Sequence, residues 1–206
     1  MSQIALPFDW PADEDEREFI LSDANRQVSR HLDHWSLWPV MATILSGPRK
    51  SGRSLVGRLF ARKTGGVLVD DAERASEEAL FHAWNQAQSD RRPLLIIADA
   101  PPPTWRVKLA DLRSRLAATP HVAIEQPDDA LAGALIEKLL VARGLAPPPD
   151  LARYLLPRIE RTYLGVHRIV DALDEVALAK RHRITLPLAR AALASLGVID
   201  DSYIDR

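Results

Sequence analysis

The chain has 206 residues, 27 basic against 28 acidic, for a net charge of -1. That near balance gives no argument for a nucleic-acid stripe or an electrostatic membrane anchor, while the length is ample for a hydrophobic core. It contains no cysteine, which excludes disulfides, thiolate metal sites and a cysteine nucleophile, and fits a reducing cytoplasm.

The first 18 residues combine a short apolar motif, Gln3-Ile4-Ala5-Leu6-Pro7-Phe8, with an acidic tether from Ala12 to Glu18. Prolines and the charge run argue against a stable helix, so a flexible tail over 1–18 is expected. There is no basic n-region followed by a long apolar run, hence no expected signal peptide, and no segment has the length of a membrane span. Exposing Ile4, Leu6 and Phe8 makes sense if a groove receives them, with alternate side chains in pockets and Gln3 hydrogen-bonded at the edge.

Phe19-Ile20-Leu21 then reads as a short strand or turn before Ser22-Asp23, which cap a helix at about 24–33. An apolar strand at about 40–45 follows, then the loop Gly47-Pro48-Arg49-Lys50-Ser51-Gly52-Arg53-Ser54 and a helix at 54–62. Strand, glycine loop and helix form the context of a phosphate-binding loop, because loop amides and the helix N-terminus converge on an anion. The pattern G-x-x-x-x-G-K-[ST] is met except that Arg53 stands in place of lysine. An ordinary strand-to-helix turn is the competing reading of this loop taken alone.

Val67-Leu68-Val69 is a second strand ending in Asp70-Asp71. An amphipathic helix follows through Ala79, Leu80, Ala83, Trp84 and Ala87. Leu94 to Ile97 is a third strand, ending at Ala98-Asp99 and a proline run. A helix at 105–116 leads to a fourth strand, Val122 to Ile124. Apolar runs separated by helices predict an α/β fold, a parallel sheet covered by helices. Ligands lie beyond the carboxyl ends of such strands, where the glycine loop, Asp70-Asp71 and Asp99 converge. Carboxylates there suit Mg²⁺ and water.

Beyond Pro127 only helical periodicity remains: Leu131, Leu135, Leu139 and Leu140; Leu151, Tyr154, Leu155 and Ile159; Val166, Ile169, Val170 and Leu173; and a last helix at 187–196 stopped by Gly197. The expected organisation is therefore a tail (1–18), an α/β domain (19–126) and a small all-helical domain (127–206). His31 and His34 read as surface histidines, Ser46 and Ser51 as loop polar groups, and the tryptophans as core or edge packing.

Taken in order, these segments resemble the AAA+ replication-initiator family and, within it, the short DnaA-related regulators of the Hda type. Gly47–Ser54 resembles Walker A and Val67–Asp71 resembles Walker B. Phe81-His82-Ala83-Trp84-Asn85 is similar to the F-H-x-F-N helix that follows it. Ile97-Ala98-Asp99 resembles the sensor 1 segment. Asp111 to Leu116 is similar to box VII, where Arg115 falls at the arginine finger. The helical half resembles the AAA+ lid, and Gln3, Ile4, Leu6, Pro7 and Phe8 resemble the motif by which Hda-type regulators bind the DNA polymerase sliding clamp.

The resemblance implies a reduced AAA+ sheet with a lid. It implies ADP or ATP with Mg²⁺ as the cofactor, held by Gly47, Gly52, Arg53, Ser54, Asp70, Asp71 and Asp99, with Ser54 and Asp70 nearest the metal. The implied partners are the DnaA initiator and the sliding clamp, with self-association left open and neither membrane nor sequence-specific DNA binding expected.

Departures from the pattern sharpen the expectation. Arginine is a larger planar fork than lysine and is not a conservative replacement at a tight phosphate site. Only Leu55 to Gly66 separates the loop from the next strand, where the family has a strand-bearing insertion. The sensor 2 position falls on Leu164, with Arg161 and Arg168 each about one helical turn away, so that either substitutes or neither does. No helix-turn-helix pattern follows the lid. The expected function is a clamp-docked negative regulator of replication initiation that stimulates DnaA's ATP hydrolysis through Arg115 in trans, with little ATPase of its own. An ATPase or loader related to DnaA and a nucleotide-free AAA+ scaffold are the alternatives.

Overall fold

A computed structural model describes residues 19–180 and 183–199, without the side chains of residues 179 and 180. The tail motif and Arg181-His182 lie outside the described residues. The elements in order are α1 (Asp23–Asp33), β1 (Ala42–Ser46), α2 (Arg53–Thr64), β2 (Val67–Val69), α3 (Glu77–Asp90), β3 (Leu94–Ala98), α4 (Ala110–Ala118), β4 (His121–Ala123), α5 (Asp129–Ala142), α6 (Leu151–Leu155), α7 (Tyr163–Lys180) and α8 (Leu186–Ser195).

The four strands form one parallel sheet in the order β2-β3-β1-β4. β1 and β3 are buried along their whole length, as continuous apolar runs covered on both faces should be. Alternate residues serve opposite faces. Leu45, Leu95 and Ile97 pack with Val28 and Leu32 of α1 and Val56 and Phe60 of α2. Ile44, Leu94 and Ile96 pack with Leu80 of α3 and with Leu112 and Leu116 of α4. Helices thus cover both faces, and the sheet is as reduced as expected: α2 runs straight to Gly65, whose φ of 66° ends it, and β2 follows.

The helices after β4 build a separate core from Ile136, Leu140, Leu151, Leu155, Val166, Ile169, Leu173, Ala189 and Leu193. Leu131 of α5 and Tyr163 of α7 turn instead toward the α1–α2 face of the sheet. Residue 127 lies in the connection between β4 and α5.

Several local expectations are corrected. Of the strand or turn expected at Phe19 to Leu21 no strand forms, and Asn25 fixes the turn: its Oδ1 accepts Ser22 N–H at 2.9 Å and its Nδ2 donates to Ile20 O at 2.8 Å. The helix expected from 105 begins at Ala110. Residues 106–109 are held off helical geometry by Glu77, whose carboxylate accepts the N–H groups of Lys108 and Leu109 at 2.7 to 3.0 Å. The helix starting at Leu151 turns into a 3-10 segment at Leu156–Arg158, because Pro157 has no N–H to continue the ladder.

His31 is not a surface histidine. It stacks on Trp38 at 5.1 Å and lies 2.7 Å from Thr43 Oγ1. Thr43 donates its single hydroxyl proton to Pro120 O at 2.9 Å, so His31 donates to Thr43 through Nε2–H. Ser46 is the last residue of β1 rather than a loop group, and its Oγ lies 2.7 Å from His121 Nε2.

Candidate functional site

The glycine loop leaves the carboxyl end of β1, beside the end of β3, with which Ser46 is in register at Ala98. Two of its glycines are required by geometry. Gly47 has φ 155° and a Cβ there would stand 2.9 Å from Ile124 Cβ; Gly52 has φ 89° as the N-cap of α2. Both lie where L side chains are strained. The loop is tightened by Ser51 N–H to Pro48 O at 3.2 Å. The ring of Phe19 lies across Gly52, 3.3 Å from where a Cβ would be.

Arg53 opens α2, so its side chain starts at the same end of the sheet as Asp99, one residue past β3. It donates Nη1–H to the carbonyl of Ala98 and Nη2–H to Asp99 Oδ1 at 2.6 Å. Its side chain is only 10% exposed. Arg49, from the middle of the loop, donates through Nε and Nη2 to the other oxygen, Oδ2, at 3.3 and 3.2 Å. Glu73 Oε1 accepts the Asp99 backbone N–H at 3.0 Å. The hydrogen bond from Arg53, then that from Arg49, holds the Asp99 carboxyl below its ordinary range against the opposing effect of burial. Asp99 is thus an ionised group clamped from both sides by charge-assisted bonds.

Asp70 and Asp71 follow β2 at the same edge and are exposed. Asp70 Oδ1 accepts Asp71 N–H at 3.0 Å, and Asp71, at φ 49°, begins the 3-10 turn Ala72–Arg74. Ser54 sits in the first turn of α2, partly covered. Gly47, Gly52, Arg53, Ser54, Asp70, Asp71 and Asp99 therefore all lie at the carboxyl end of the sheet.

The lid arginines lie in other surroundings. Arg161 pairs with Asp129, at the start of α5, at 3.3 Å. Arg168 lines a hollow with Ile159, Glu160, Gly165, Leu196 and Val198. Leu164 is 43% exposed. On α7, His167 has a pKa lowered by burial first and then by the charge of Lys50 in the glycine loop, with Asp171 opposing. Sequence reasoning missed His167, Arg49 and Glu73. The i, i+4 spacing of His167 and Asp171 on one helix face was the available signal.

Arg115 lies in the last turn of α4, against α3. Its guanidinium stands 4.5 Å from the centre of the Phe81 ring and 4.8 Å from that of Trp84, and it donates to Asn85 Oδ1. Trp84 is fixed in turn by Nε1–H to Thr119 Oγ1 at 3.1 Å, and Thr119 donates to Arg115 O at 2.7 Å. The segment Phe81-His82-Ala83-Trp84-Asn85 is thus the seat of Arg115.

Residues 131–193 match the family model described as Hda, lid domain. The helical half thus resembles the lid of the Hda type, and the chain has an AAA+ fold like that of DnaA. Domain III of the Thermotoga maritima replication initiation protein DnaA superposes with a TM-score of 0.71 at 13% identity, over 90% of this chain and 98% of that one. The AMPPCP-bound DnaA of Aquifex aeolicus gives 0.59 at 16%, over 76% of this chain and 63% of that one. The Thermotoga maritima RuvB Holliday junction branch migration motor gives 0.65 at 14%, over 90% and 72%. Among the described residues, no helix is long and apolar enough to cross a membrane.

Proposed function

We propose that this protein is a negative regulator of replication initiation, which docks on the sliding clamp through Gln3, Ile4, Leu6, Pro7 and Phe8 and stimulates ATP hydrolysis by a DnaA-type initiator. Arg115 is the catalytic group and acts in trans on the partner's nucleotide.

The observation that carries this reading is the seating of Arg115. Its partners are two aromatic faces and a carboxamide, so none of them cancels its charge. A cation–π seat is worth about 0.5–1 kcal/mol at a partly exposed site, little enough to be exchanged for an anion. A guanidinium delivered to the phosphoryl group in flight neutralises the charge that develops there, and such a finger is worth on the order of 10³–10⁵ in rate. Chemistry and nucleotide both belong to the partner, while the Hda-type lid and AAA+ body supply the docking surface.

The deciding experiment measures DnaA ATP hydrolysis with DNA-loaded clamp, with and without this protein. Arg115→Ala is expected to abolish stimulation while leaving clamp binding intact. Stimulation equal to the parent's would sink the mechanism. Alanine at Gln3, Leu6 and Phe8 together is expected to remove clamp binding, read by surface plasmon resonance, with an unchanged circular dichroism spectrum. Retained binding would show that the tail is not the tether.

A further inference from the structure

In the AAA+ architecture the loop Gly47–Ser54 faces a nucleotide, so the residues present are tested against that group. They do not fit it. The cation at the lysine position is the one that should reach the phosphates. Here Arg53 gives one nitrogen to Ala98 O and the other to Asp99 Oδ1, and is nine-tenths covered. The second loop arginine, Arg49, is spent on Asp99 Oδ2. Both oxygens of the sensor-position carboxylate are filled from within the chain, and its backbone N–H is taken by Glu73. The Phe19 ring packs against Gly52 on the side where a Cβ would stand.

The geometry points to an internal bridge in place of a nucleotide: Arg53, aided by Arg49, ties the glycine loop to the end of β3, and the protein holds its folded shape without ADP or ATP. The physical logic is one of competition. A phosphate would have to detach the Arg53 guanidinium from a carboxylate and a main-chain carbonyl. Asp99, 41% exposed, would then keep only Arg49 and face a polyanion, a like-charge approach that is unfavourable. Arginine suits this role where lysine would not, because its planar fork can engage two acceptors at once. A bound nucleotide joins loop to strand through its phosphates; here two arginine side chains make the same connection by hydrogen bonds and ion pairs.

The test is direct nucleotide binding by the full-length protein, which needs no partner, so its outcome is independent of whether Arg115 acts on DnaA. Calorimetric titration with MgADP and MgATP is expected to show no binding at 1 mM nucleotide, and 5 mM of either is expected to leave Tm unchanged. Saturable binding in the micromolar range, or a Tm rise of several degrees with nucleotide, overturns the inference, since a ligand held only by the native state must stabilise it. Arg53→Ala and Asp99→Ala are each expected to lower Tm by about 3–8 °C. An unchanged Tm in both overturns the bridge. Arg53→Lys, which restores the loop pattern and frees one acceptor, is expected to give saturable MgADP binding below 1 mM, where the parent gives none. No binding by Arg53→Lys counts against Arg53 as the excluding group.

Discussion

Arg53 at the start of α2 and Arg115 at the end of α4 are both partly covered arginines at motif positions, and their settings are opposite. Arg53 is locked to an ionised carboxylate and a carbonyl, with a second arginine reinforcing the same carboxylate. Arg115 rests on Phe81 and Trp84 with a neutral amide beside it. An arginine paired with a carboxylate is a structural tie, because releasing it strands two charges. One held by ring quadrupoles keeps its full charge and loses little on leaving. Residue type and burial alone would not separate them; the chemistry of the partner does.

The contrast can be broken at either end. Arg115→Ala is expected to have the largest effect, a loss of stimulated DnaA hydrolysis on the order of 10³-fold or more, with the denaturation midpoint little moved. Arg53→Ala should do the reverse: about 1–3 kcal/mol of stability lost by urea denaturation, discounted for the exposure of Asp99, and stimulation retained by whatever fraction is folded. A variant that reversed this pattern would show that the two roles are exchanged. Phe81→Leu, which removes one ring face, is expected to be smaller, at about 0.5–1 kcal/mol, visible mainly as weaker stimulation with an unchanged affinity for clamp.

Acid should act on the region of Arg53 and the α1 side of the sheet, and leave the Arg115 seat alone. His31 and His121 have pKa values lowered by burial, and His31 further by His121. They are neutral in the fold and gain protons first in the unfolded chain. Stability is therefore full above about pH 6.5, falls as pH drops through that value, and stops falling on this account only below the folded-state pKa values. Asp99, also lowered, adds a second loss below its ordinary carboxylate range, near pH 4. Urea midpoints across pH 8 to 2 check both steps, and His31→Phe should flatten the first.

Much of the site was legible along the chain because the loop, the Asp70-Asp71 pair and Asp99 each stand at the end of an apolar run, and parallel strands gather such ends at one edge. Where the side chains go was not legible. Arg53 read as a degenerate phosphate ligand, whereas the register of β1 with β3 places Ala98 and Asp99 within its reach. Phe81, Trp84 and Asn85 read as a motif following Walker B, with nothing to say that they face Arg115. His31 read as surface because Thr43 and Trp38, which enclose it, are separated from it in sequence.

By itself the sequence determined the alternation of strands and helices, the carboxyl-end position of the candidate site, the all-helical second half and the family resemblance. These follow from local periodicity and turn chemistry, which short-range sterics and solvation fix. Only the tertiary structure decided the partners of the two arginines. A guanidinium's role depends on which acceptor or ring lies within a few ångströms, and those neighbours come from other elements brought together by the packing of the sheet and its helices.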